Sequence, residues 1–64
     1  MIILYLYGET YEIKEELKSD GFKWDNCDRV WYKNFESNEL EYVKNLAEAF
    51  ETTDGVIAEI QGDI

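Results

Sequence analysis

The sequence predicts an α+β fold: a compact ferredoxin-like βαββαβ unit, with an antiparallel sheet and two helices on one face. Three observations lead there. The chain opens with a continuous apolar run, two separate segments repeat apolar residues at helical spacing, and the last segment alternates as a strand does. Sixty-four residues leave room for one domain, 1–64.

Taken in order, residues 2–7 (Ile-Ile-Leu-Tyr-Leu-Tyr) are apolar on both faces, as in a central strand, and Gly8 ends the run. Thr10 suits a helix N-cap, with Glu12 in the first turn, where the helix dipole favours acids. Tyr11, Ile13 and Leu17 supply the buried side of a short helix reaching about Asp20, and Gly21 is a natural residue to stop it. Phe22 and Trp24 then sit two apart, as on one face of a short strand. Asp25-Asn26-Cys27-Asp28 is turn chemistry, because Asp and Asn side chains bond to nearby backbone. Val30–Phe35 reads as the returning arm of a hairpin that carries Trp24 and Trp31 on its two strands.

Ser37-Asn38 opens the second helix, and Asn38 with Glu41 has capping-box spacing. Leu40, Val43, Leu46, Ala47 and Phe50 form its apolar stripe. Residues 52–55 break it. Val56, Ala58 and Ile60 then alternate with Ile57, Glu59 and Gln61, which is a strand pattern. The rival architecture is a three-stranded βαββ unit with a weak last strand beside a long second helix.

Composition limits function. The chain has 15 acids, 6 bases and no histidine, a formal charge of −9. Without histidine the usual general base near neutral pH and the commonest metal ligand are missing. Cys27 is the sole cysteine, so no intramolecular disulfide forms, and acids on either side of it discourage a thiolate. Residues 25–28 lack the alternation and the later glutamate of a calcium loop. There is no phosphate-binding glycine loop and no nucleophile elbow. The expectation is a non-enzyme with no cofactor, no catalytic residue and no metal site. The start of the chain has neither the basic region nor the cleavage site of a signal peptide, and no apolar run approaches a membrane span of about 20 residues. A cytoplasmic location in a host cell, with no membrane partner, is expected. The charge argues against direct nucleic-acid binding, which needs Lys and Arg.

Placement of the acids is the most informative feature. Residues 9–20 hold five acids and two lysines, and residues 36–51 hold five acids and one lysine. Two such helices on one side of a sheet would present a negative surface, suited to competing with nucleic acid for a basic groove or to steering the chain onto a basic partner. The plain alternative is a solvated helical face that keeps an aromatic-rich domain in solution. The candidate partner-binding residues are Glu12, Glu16, Glu41 and Glu48, with Tyr32 or Tyr42 as the apolar anchor that an interface requires. The hairpin, with Lys23, Arg29 and Lys33 among Phe22, Trp24, Trp31, Tyr32 and Phe35, is the one segment of positive balance, and stacking on single-stranded bases is its functional reading. Core and cross-strand packing is the more ordinary use of such aromatics.

Gly8-Glu9-Thr10-Tyr11, Lys14, Leu17-Lys18, Gly21-Phe22-Lys23-Trp24-Asp25 and Trp31-Tyr32 together form a cadence. It resembles a small module of phage and plasmid proteins in which a strand, a short helix, a G-x-x-W-[DN] turn and a W-[YF] strand follow one another. The resemblance covers about residues 2–35 and carries no settled activity. It implies an origin in a mobile element. By analogy of class, small acidic phage proteins often inhibit host enzymes, including restriction and CRISPR effectors. The expected function is therefore an anti-restriction or anti-CRISPR type of inhibitor that occupies a basic surface on a host nucleic-acid-handling or defence protein. The alternative is a homodimer or assembly subunit joined through an exposed strand edge.

Overall fold

The computed structural model describes residues 1–62. Strands β1 (Ile2–Gly8), β2 (Lys23–Asp25), β3 (Val30–Phe35) and β4 (Val56–Gly62) form one antiparallel sheet in the order β2-β3-β1-β4. Helix α1 (Lys14–Ser19) follows a single 3-10 turn at Tyr11–Ile13, and helix α2 (Leu40–Glu51) follows another at Ser37–Glu39. The protein is thus α+β, with a four-stranded antiparallel sheet and two helices. The last strand is seven residues long and fully paired to β1, so the weak-strand architecture does not apply.

Register sorts the side chains. Ile2, Leu4 and Leu6 lie opposite Phe35, Lys33 and Trp31 on β3, and Leu4, Leu6 and Gly8 lie opposite Ile60, Ala58 and Val56 on β4. All of these point to the helix side, because strand side chains alternate between faces. Leu17 of α1 and Val43, Ala47 and Phe50 of α2 complete a single core with them. Leu4, Leu6, Leu17 and Val43 are fully enclosed. Phe22, just after α1, meets Phe50 of α2 edge to face at 5.9 Å, which ties the two helices together beneath their surfaces.

Helix α1 ends as its sequence predicts. Gly21 has φ +95°, its N–H donates to the Lys18 carbonyl, and the Phe22 N–H reaches back to the Leu17 carbonyl. That pair of bonds is a Schellman closure, which only a residue tolerant of positive φ allows at low cost. The helix starts differ from expectation. Thr10 makes no side-chain cap and is buried instead. The capping box ahead of α2 is formed by Glu36 and Glu39, not by Asn38 and Glu41. Glu36 takes the cap because it is the last extended residue (φ −76°, ψ 153°), so its N–H is free to bond the Glu39 carboxylate at 2.9 Å.

Lys33 occupies an inward position opposite Leu4. Its Nζ lies 5.9 Å from the ring centre of Phe22 and 5.3 Å from that of Phe35, and it donates to the Asp20 carbonyl at the end of α1, 2.6 Å away. The ammonium therefore sits where the helix dipole is negative. Lys33→Met keeps the stem and removes this contact, with an expected loss of about 0.5–1.5 kcal/mol. A urea-unfolding midpoint equal to the parent's would show that the bond contributes nothing.

Candidate functional site

The acidic residues follow the architecture. Eleven of the fifteen lie in residues 9–20 and 36–54, the segments that build the helical layer and its turns, against three lysines there. Ten of those eleven are exposed and Glu39 is half-buried. Among the described residues, the one Lys or Arg within 4.0 Å of a carboxylate is Lys18, beside Glu15. An exposed pair at that distance contributes little. The negative charge of this layer is therefore mostly uncompensated.

The candidate glutamates do not converge on one point. Glu41 and Glu48 lie together along α2, where with Lys44 and Glu51 they rim a groove of about 420 Å³ beside β4, with Ala47, Ala58 and Ile60 at its base. Glu12 lies in the 3-10 turn before α1, where it lines a separate hollow with Glu9, Thr53 and Asp54. Glu16 is exposed on α1. The aromatic candidates separate more sharply. Tyr42 is on α2, 56% exposed, with its ring edge-on to Phe35 at 6.0 Å. Tyr32 is half-buried and opposite Tyr5, on the sheet face turned away from the helices. It cannot share a flat interface with the helix carboxylates.

That open face is rich in aromatic and branched residues. Ile3, Tyr5, Tyr7, Val30 and Tyr32 are half-buried on it and Ile57 is exposed, with Asp28, Glu59 and Gln61 around Tyr5 and Tyr7. The two tryptophans lie on the opposite side. Trp24 and Trp31 face each other across β2 and β3 with centroids 5.3 Å apart, Trp31 buried and Trp24 46% exposed. With Tyr11, Lys14 and Lys18 they line a cleft of about 400 Å³, and the Lys14 ammonium lies 4.1 Å from the Tyr11 ring centre.

The hairpin therefore splits its aromatics between two faces, a division that composition alone could not reveal. Of its three bases, Lys33 is already engaged with the end of α1. The hairpin offers no single basic aromatic platform for stacked bases. Its turn is closed as the sequence predicts: the Asp25 carboxylate accepts from the Cys27 N–H at 2.9 Å and the Asp28 N–H at 3.4 Å. Arg29 leaves the turn with φ 55°, and Cys27 is an exposed free thiol.

The chain matches no protein-family model, no curated protein and no solved structure.

Among the described residues no three Asp, Glu or Cys side chains are grouped so as to hold a metal ion, and no helix is long and apolar enough to cross a membrane. What the surface can do chemically is attract cations and cationic side chains. The feature that sequence reasoning missed is the groove along β4. Its signal was present in the stripe Glu41, Lys44, Glu48 and Glu51, but only the strand order places that stripe beside a sheet edge.

Proposed function

We propose that this chain is a non-enzymatic binding protein that docks onto a basic surface of another protein through the carboxylates of its helical layer. One observation carries the reading: eleven acids lie in the two segments of that layer and are almost unpaired. Such a field raises the encounter rate with a basic partner and sets its salt dependence, while an apolar anchor supplies residence time. Tyr42 suits the anchor, since it is exposed on the same helix as Glu41 and Glu48. An origin in phage rests on the half-chain resemblance, and a role against a host nucleic-acid-handling or defence protein rests on analogy of class with small acidic phage proteins. The ferredoxin-like reading of the fold is supported by the strand order, in which each helical connection carries the chain past one intervening strand.

The test is binding to a lysine-rich protein probe across a salt series. Affinity should fall by about tenfold or more between 50 and 300 mM salt, as the Debye length shortens from roughly 14 to 6 Å. The combined variant Glu12→Gln, Glu16→Gln, Glu41→Gln and Glu48→Gln should flatten that slope. Salt-insensitive binding removes the reading.

The second reading, a homodimer or assembly subunit, draws on the aromatic open face and the unpaired side of β4. A single monomeric species in sedimentation at high protein concentration would dismiss it.

A further inference from the structure

The sheet has two edges, and they differ. Strand β2 is three residues long, and such shortness is a usual protection against strand pairing. Strand β4 is seven residues long and contains no proline and no lysine, with Glu59 as its one charged residue. Among the described residues it pairs only with β1. Alternate residues of an antiparallel strand aim N–H and C=O to opposite sides, so the side of β4 away from β1 offers a row of backbone donors and acceptors. The groove with Glu41, Glu48 and Glu51 on its rim, against Lys44 alone, runs alongside.

We propose that β4 is a docking edge for an extended basic segment of a partner protein, which adds to the sheet as a fifth strand. This rests on the reading of the acidic layer as a partner-binding surface and names the partner's local chemistry. Side chains of an added strand alternate between faces. One set would point toward α2 and meet the three glutamates, which calls for lysine or arginine at every second position. The other set would lie beside Ile57 and Glu59 on the open face, which calls for apolar or polar uncharged residues. A second copy of this chain fits the edge poorly. A two-fold pairing of β4 with itself is isologous, so it sets like stripes of Glu41, Glu48 and Glu51 side by side on chains of charge −9.

The probe is a fluorescein-labelled heptapeptide of alternating lysine and valine, read by anisotropy with the unmodified full chain. Two further peptides carry backbone N-methyl groups, one at the lysines and the other at the valines. Only one edge of an added strand bonds to β4, so one pattern should weaken binding by about tenfold or more while the other is tolerated. Amide resonances of residues 56–62 should shift on binding, and Glu41→Gln with Glu48→Gln should weaken it about threefold to tenfold. Equal effects of the two methylation patterns, whether both harmless or both disruptive, overturn the strand-addition proposal and leave the basic-partner reading intact. Failure of all three peptides and of polylysine to bind overturns both. Sedimentation showing a dimer, with residues 56–62 protected from amide exchange in the absence of peptide, would assign the edge to a second copy.

Discussion

Leu4→Ala is expected to cost about 2–5 kcal/mol, the range for truncating a fully buried leucine without collapse of the space it leaves. Leu4 is completely enclosed in β1, the strand that separates β3 from β4, and it lies opposite both Lys33 and Ile60. Its neighbours come from both flanking strands and from the helices above, so no single element can move in to fill the void. A core of this size supplies only about 3–5 kcal/mol of net stability, and there is no disulfide to add to it. The variant should therefore be largely unfolded at room temperature, as read by circular dichroism and urea titration. Ile57→Ala is the matched control. Ile57 is 47% exposed on the open face, and its loss should cost less than about 1 kcal/mol. Equal losses from the two would mean that the helix-side core is not the main source of stability.

Gly8→Ala is expected to cost about 2–3 kcal/mol, through two effects that a graded series separates. Gly8 has φ +93°, and a Cβ there would collide with the Gly55 carbonyl oxygen. The approach is close because the neighbouring Glu9 N–H bonds that same carbonyl at 2.9 Å, pinning the end of β1 to the turn before β4. Gly21 shares the positive φ, but a Cβ there meets only the end of Lys33 at 3.6 Å, so Gly21→Ala should cost about 1 kcal/mol. Gly62 has neither problem, its nearest neighbour being 3.4 Å away, and Gly62→Ala should be close to neutral. Thermal midpoints of the three variants should fall in that order. If Gly8→Ala matched Gly21→Ala, the contact with Gly55 would be looser than described. The result also bears on binding. The Gly8–Gly55 contact sets where β4 begins, so a shift there moves the edge on which the basic segment is proposed to dock.

Sheet order is what sets the acidic layer beside an open strand edge. A negative helix face alone attracts any cation weakly and without orientation. Beside an open strand edge, the same carboxylates act at a fixed distance from a row of backbone donors and acceptors. In the proposed strand addition, hydrogen bonds would supply orientation and the charges selection, a division of labour that recurs when strands are added to sheet edges. The opposite edge is built differently. Strand β2 is short, and the Trp24–Trp31 pair lies at its side with Lys14 and Lys18 near by.

Much of the local structure was legible because it depends on residues only a few positions apart. Gly21 stops α1 through bonds spanning three and five residues, and Asp25 closes the hairpin turn through bonds to the next two or three. Of the stripe Leu40, Val43, Leu46, Ala47 and Phe50, all but the exposed Leu40 make the packed face of α2, and the alternation of residues 56–60 makes β4. The sequence by itself thus determined the element order, most of the core and the excess of acid in the two helical segments. The tertiary structure decided the rest. Residues separated by thirteen or more positions settle it, and no periodicity records their pairing. The facing of Tyr32 away from the helices comes from its register with Tyr5. The engagement of Lys33 with Asp20 comes from the fold bringing the end of α1 within reach of β3, thirteen positions on. The open side of β4, beside Glu41 and Glu48, comes from a sheet order that puts the last strand at an edge.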